Sequence, residues 1–270
     1  MNDIIDLIVP NSFSKIRNGK LDIPNNLKYI KLDVGLCAEA GNSAAWLADT
    51  DDRFVIAIEP LPYHWTVLQD YDTAFTSCRS YPDIKHIQLE KNQVVLNRQK
   101  ICLIDNRICG MQAAIDNVEG IGERDFYEVI YDDTRSGASS LLKLTPQHQQ
   151  GNNIKGVIKV PTVSLKSILD LVPWDRFEYI EHVKTDCEGY DPVVVRSAGE
   201  YLSKIVFFSC EVLRKPWQHC GEPDADEFIH FMAENNFQVI KERGGEIDFI
   251  NTKLAHKVSE DNLNNNTLGT

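Results

Sequence analysis

Apolar and polar positions alternate along this chain in blocks that suit strands and helices by turns. YIKLDV, from Tyr29, reads as a strand, and FVIAIEP, from Phe54, as a second that stays apolar until Glu59. Between them NSAAWLAD sets Ala44, Ala45, Leu47 and Ala48 on one helical face. Continuous apolar strands alternating with helices belong in a parallel sheet covered on both faces. YHWTVLQDYD predicts a helix after Pro62, RICGMQAAI a third core strand, and NVEGIGERDFYEVIYDD a turn and then an alternating strand outside the core sheet. The second half repeats the rhythm. VIKVPTVS is a strand, SLKSILDLV a helix with Ser164 as N-cap, and YIEHVKTD a strand ending in Asp186. DPVVVRSAGEYLSK is a helix with Pro192 in its first turn. IVFFSCEV is another apolar strand, and PDADEFIHFMAENN a helix with acids in its first turn. NFQVIKERGGEIDFIN is a pair of strands joined at its two glycines, a hairpin that closes the sheet.

Other stretches are less regular. Residues 1–28 form a lead-in, with a short helix around NSFSKIRNGK and a Pro/Asn-rich connection, DIPNN. Residues 77–107 are polar, with KHIQL, VVL and ICLI as strand candidates in no evident order. RSGASSLLK and TPQHQQGNNIKG have the composition of a mobile loop. The Asn-rich tail 254–270 is expected to be disordered. One α/β domain over 29–253, built on a doubly wound, mostly parallel, Rossmann-like sheet, is the architecture these elements predict.

Length and charge narrow the function. The 270 residues, 43% of them hydrophobic, suffice for one large core. Lys and Arg number 28 against 40 Asp and Glu, a net charge of −12 with no basic run, which argues against nucleic acid and favours neutral or cationic partners. Seven cysteines without C-x-x-C pairs fit neither a disulfide framework nor a zinc site. No apolar stretch reaches the ~20 residues that a membrane span needs. A cytoplasmic protein is the expectation.

Strand ends carry the candidate chemistry: Asp33, Glu59, Asp186 and Glu211 each stand where a strand finishes. In a doubly wound sheet such ends meet along one edge, where ligands bind. An acid at the second strand end suits a ribose diol, while Gly35 permits close backbone approach. A dinucleotide's pyrophosphate wants several glycines before the helix. Here bulky Leu36 and acidic Glu39 intervene before Gly41. S-adenosylmethionine, a cationic nucleoside without phosphates, suits an acidic loop better.

Three groups of segments resemble the FkbM-type class I S-adenosylmethionine-dependent methyltransferases. They are LDVG with VIAIEP, AAIDNVEG with GASSLL, and VPTVSLKSILD leading into VKTDCEGYDPVVVRSA and FFSCEV. The resemblance covers roughly residues 29–213. It implies a seven-stranded methyltransferase sheet with a C-terminal antiparallel hairpin, and S-adenosylmethionine as cofactor. The cofactor would contact Asp33, Gly35, Leu36, Glu39 and Asn42, with the ribose at Glu59 beside Pro60, the adenine near Ile115 or Asp116, and Asp186 at the far end. Lys184, Asp186 and Glu188 would face the methyl acceptor, an oxygen of a small molecule or glycan. Gly41 departs from the family's closer glycine spacing.

An activated methyl asks the enzyme to align a hydroxyl and assist loss of its proton. Asp186 is the carboxylate best placed for this. His182 and Lys184 share its strand face by period two and complete the catalytic group with Glu188. His64 and Trp65 read either as flanking the adenosine or as capping a helix, and Trp217, His219 and Cys220 either as lining the acceptor pocket or as surface loop. Cys187 reads as a small buried residue. No metal site is indicated by ligand spacing. The rival readings are an NAD-dependent oxidoreductase and a non-catalytic Rossmann-like binding protein.

Overall fold

In the computed structural model the described residues are 2–9, 16–37, 40–69, 88–90, 93–96, 99–101, 106–131, 134–135, 137–149, 153–213, 221 and 223–257. Their strands, in chain order, are β1 (Ile16–Arg17), β2 (Lys20–Leu21), β3 (Tyr29–Val34), β4 (Arg53–Ile58), β5 (Gln88–Glu90), β6 (Gln93–Leu96), β7 (Gln99–Ile101), β8 (Ile108–Met111), β9 (Ala114–Ile115), β10 (Ile121–Tyr131), β11 (Thr134–Arg135), β12 (Asn153–Val163), β13 (Ile180–Thr185), β14 (Ile205–Glu211), β15 (Phe237–Arg243) and β16 (Glu246–Asn251). The helices are α1 (Asn2–Ile5), α2 (Gly41–Asp49), α3 (Pro62–Gln69), α4 (Pro146–Gln149), α5 (Leu165–Leu169), α6 (Asp191–Arg196) and α7 (Ala225–Glu234).

The fold is α/β, built on a mixed seven-stranded sheet in the order β15-β16-β14-β13-β3-β4-β8. Strands β14, β13, β3, β4 and β8 pair in parallel, and β16 lies antiparallel to both its neighbours. The apolar runs are buried because this sheet is the centre of the core: every residue of β4 and β8 is buried. Among the described residues helices are few, and only α2, α3 and α7 reach eight residues. Ser164 caps α5 by accepting the Ser167 N–H at 3.1 Å, and Asp224 caps α7 by accepting that of Glu227 at 2.9 Å. The closing hairpin turns through Gly244 and Gly245, both with positive φ. No helix among the described residues is long and apolar enough to cross a membrane.

A second sheet, β11-β10-β12-β9, contains the alternating segment expected outside the core sheet. Four expectations give way to different structures. RICGMQAAI is two strands in two sheets, because Val9 and Leu7 pair with Gly110 and Gln112 and the chain leaves the first sheet there. NSFSKIRNGK is not a helix over its described part: β1 and β2 form a hairpin whose turn residues Asn18 and Gly19 have φ of 52° and 74°. The helix after Gly189 stops at Arg196 and resumes as a 3-10 turn, Gly199–Lys204. The GASS segment is not a free loop, since Ser139, Ser140, Leu141 and Leu144 are buried. The lead-in joins the same core through Ile4, Leu7, Leu21, Ile23 and Leu27. KHIQL, VVL and ICLI overlap β5, β6 and β7, which form a separate antiparallel sheet, and the tail from 258 onward lies outside the described residues.

Under α2 the sheet holds a buried ionic group. Glu181, fully buried, receives Arg53 Nε at 3.0 Å and lies 3.9 Å from the Lys31 ammonium. Arg53 reaches on to Asp49 at 2.6 Å, and Lys31 sits over the Trp46 ring at 4.9 Å. Burial pulls Lys31 down to about 8 against the opposing charge of Glu181. Removing one partner strands the others in a medium that solvates charge poorly. Glu181→Gln is therefore expected to lower stability by about 3–5 kcal/mol, read from urea denaturation curves. Unaltered curves would show that the group contributes little.

Candidate functional site

At its C-terminal end β3 contacts both neighbouring strand ends. Asp186 N–H donates to Val34 O at 3.0 Å, and Gly35 and Leu36 N–H both reach Ile58 O, at 2.9 and 3.2 Å. Gly35 has φ +82°, and a Cβ there would lie 1.9 Å from the Asp186 carbonyl oxygen. The glycine is thus required by the packing of one strand-end loop on another. At this edge lies a cavity of about 180 Å³. One buried water needs about 10–15 Å³, so the space is of small-molecule size. Its walls come from the ends of β3, β4 and β9, from the loop after β13, and from Phe126 with Gly137, Ser139 and Leu141.

Glu59 lines one end and is firmly held. Its Oε2 accepts the Cys37 N–H at 2.9 Å, and its Oε1 accepts the Leu61 N–H at 2.8 Å. His64 Nδ1 lies 3.2 Å from Oε1, and Trp65 Nε1 donates to the Glu59 carbonyl at 2.8 Å. Asp33 stands behind the cavity, not in its wall. It is buried, and its Oδ2 accepts from Ser43 N–H at 3.0 Å and Ser43 Oγ at 2.7 Å, so it occupies the N-terminus of α2. Burial raises its carboxyl above the usual range.

The other end is acidic. Asp186, Glu188 and Glu211 each bring an oxygen within 4.8 Å of the others, close enough to share a proton or to hold a cation, although such a cluster alone assigns neither. Burial first, then Glu211, Asp186 and Asp191, pushes Glu188 up to about 9. Burial and the Asp186 and Asp191 charges push Glu211 up to about 8. Asp191, buried beneath them, is raised to about 6 by burial and Asp186, against hydrogen bonds from Thr185 Oγ1 and the Cys187 and Glu211 N–H groups. Lys184 pairs with Asp186 at 2.9 Å. Burial lowers it, but Asp186 and Asp33 outweigh that and hold its ammonium above the usual range.

Gly35, Glu59, Pro60, Ile115, Asp186 and Glu188 therefore meet in one cavity, with His64 and Cys187. Burial raises the Cys187 thiol well above its usual value, in keeping with a packing role. Other expected residues stand elsewhere. Leu36 is buried outside the wall and Asn42 lies in the first turn of α2. Asp116 is taken up by Tyr190 OH at 2.6 Å, Arg124 at 2.7 Å and the Asn117 N–H at 2.7 Å. His182 is buried under Trp46, with ring centroids 5.2 Å apart, and its Nε2 meets Ser209 Oγ at 2.9 Å. It does not reach the cavity wall. Glu39, Trp217, His219 and Cys220 lie outside the described residues. Tyr190 and the wall of Ser139 and Leu141 escaped the sequence reading, although GASSLL pointed to the latter.

No protein-family model, no curated protein and no solved structure matches this chain.

Two outcomes follow from this geometry. Gly35→Ala must displace the Asp186 carbonyl and occupy a left-handed backbone, and is expected to cost at least about 3 kcal/mol, seen as a large drop in melting temperature. Glu188 has its ordinary value of 4.5 when unfolded and about 9 when folded. Between those values only the folded state holds the proton, so this group's contribution to stability falls as pH rises. Glu188→Gln, which resembles the protonated form, is expected to stabilise the chain by up to about 5 kcal/mol at pH 8 and by little at pH 4.5. Equal gains at both pH values in denaturation experiments would contradict the assignment.

Proposed function

We propose that this chain is an S-adenosylmethionine-dependent methyltransferase that acts on a hydroxyl of a small molecule or glycan. The observation that carries the reading is the use already made of the N–H groups that would cradle a phosphate. Asp33 takes the Ser43 N–H at the start of α2, and Glu59 takes the Cys37 N–H. A pyrophosphate would have to displace or face two carboxylates, whereas a cationic nucleoside meets charges of the right sign. The strand order lends support: the seven-stranded sheet has its one antiparallel strand in the closing hairpin, as the resemblance to class I methyltransferases implies. The cavity lies beside β3, where the order turns from β4 to β13, the usual ligand position in a doubly wound sheet.

Glu59 Oε2, which accepts the Cys37 N–H, has a further lone pair for a ribose hydroxyl, and Leu61 and Ile115 supply apolar surface for the adenine. The ends of β4 and β13 are two strand spacings apart, about 10 Å, which sets Asp186 and Glu188 at the reacting end. The cofactor supplies a methyl already activated on sulfur. Asp186, paired with Lys184, accepts the hydroxyl proton, and Glu188, protonated at neutral pH, orients the oxygen by donating a hydrogen bond. His182 takes no part. The free thiols of Cys187 and Cys210 fit a cytoplasmic setting.

Calorimetry with S-adenosylhomocysteine tests the reading. Wild-type protein is expected to bind it, and Glu59→Ala, if it still melts cooperatively, to bind about 10–100-fold more weakly through loss of charge-assisted hydrogen bonds. Binding of NAD in its place would favour the oxidoreductase. Binding of neither would favour a non-catalytic protein.

A further inference from the structure

Glu188 is a non-glycine residue in the left-handed region, with φ 53° and Gly189 following at φ 86°. Such a conformation carries a local cost and persists only where its surroundings enforce it. The turn is closed by its own hydrogen bond, from the Tyr190 N–H to the Cys187 carbonyl at 3.3 Å, and is enforced further from the second sheet. Ser140 Oγ lies 3.1 Å from both the Cys187 and the Glu188 carbonyl oxygens, so that its one hydrogen is shared between the two carbonyls that define the turn. The same oxygen accepts the Leu142 N–H at 3.2 Å. Ser140 is itself buried and fastened to β10 by paired main-chain hydrogen bonds with Tyr127, at 2.8 and 3.2 Å. From beneath, Asp191 holds the Cys187 N–H at 3.0 Å. The turn is thus gripped on two sides, and the grip aims the Glu188 carboxyl at Asp186 and Glu211.

We propose that Ser140 is a positioning residue for the methyl-transfer step, holding Glu188 in its left-handed turn so that its carboxyl stays at the reacting end of the cavity. In its kinetic part this rests on the methyltransferase reading; in its geometric part it does not. Ser140 touches neither cofactor nor acceptor. Without its hydroxyl the Glu188 carbonyl loses that donor and the Cys187 carbonyl is left with the Tyr190 N–H at 3.3 Å; Glu188 relaxes to negative φ, and the carboxyl swings away from Asp186.

The test compares wild type with Ser140→Ala, Ser140→Thr and Glu188→Ala. Backbone φ at residue 188, measured by NMR couplings on the free protein, is expected to be left-handed in wild type and Ser140→Thr, and to leave that region in Ser140→Ala. If Ser140→Ala keeps the left-handed turn, the proposal fails, whatever the protein's activity. In methyl-transfer assays Ser140→Ala is expected to lower kcat about as much as Glu188→Ala while leaving S-adenosylhomocysteine affinity within about threefold. The double variant should be no slower than Glu188→Ala, and Ser140→Thr should recover the rate. Additive losses in the double variant would mean that Ser140 acts through general stability and would overturn the kinetic part. Absence of S-adenosylhomocysteine binding in wild type would remove the methyltransferase reading and leave the NMR result to decide the positioning.

Discussion

The close crossing of the β3 and β13 ends at Gly35 and Asp186 is the constraint on which the site depends. β3 hands its last carbonyl to Asp186 and its next two N–H groups to Ile58, so the loops of both neighbours leave the sheet from one point. Glu59 and Asp186 become opposite ends of a single cavity for that reason. A side chain at position 35 would force the Asp186 carbonyl away and separate the acidic end from the Glu59 end. The glycine acts here through backbone packing, and ligand approach is a consequence of that packing.

Charge is distributed along the sheet in a way that separates stability from function. Beneath α2, the cations Lys31 and Arg53 are matched by Glu181 and Asp49. At the strand ends, by contrast, burial and neighbouring carboxylates raise Glu188 and Glu211, and Lys184 opposes them only in part. Carboxyls held above their ordinary values destabilise the folded state as pH rises. That cost lies at the cavity, where a cationic ligand would relieve it. Replacement of an acid that stabilises the fold while harming the site is the trade between stability and activity met at many functional sites.

The core strands were legible because a buried parallel strand is apolar throughout, and FVIAIEP and IVFFSCEV could be little else. The closing hairpin was legible from its two glycines. Which sheet a strand joins was not, since the departure of Ala114 and Ile115 from the first sheet depends on Leu7 and Val9, a hundred residues earlier in the chain, pairing with Gln112 and Gly110. The first hairpin carried its own signal, Asn18-Gly19, the dipeptide that best tolerates two left-handed residues in a row, but its helix-like neighbours SFSKIR outweighed it. In the site, Asp33, Glu59 and Asp186 were visible as strand ends. The company of Glu188 with Glu211 was not, for it arises from strand neighbours and from a turn that Ser140 holds across more than forty residues of chain.

Left-handed residues other than glycine explain the odd glycine spacing of the loop after β3. Among the described residues they are Asn18, Cys37, Ala40, Glu188 and Asn236. The two asparagines occupy turns of a kind that residue tolerates. Cys37 and Glu188 stand in the cavity wall, and Ala40 immediately precedes α2. A phosphate-binding loop uses glycine at such positions so that a bulky anion can come close to the backbone. In this loop the anion that comes close is Glu59, a side chain of the neighbouring strand, which meets the Cys37 N–H without requiring its Cβ to be absent. Glycine is kept at position 35, where backbone meets backbone, and ordinary side chains are accepted where backbone meets carboxylate. The spacing that disqualifies the segment as a dinucleotide fingerprint is therefore the spacing of a loop built around its own acids.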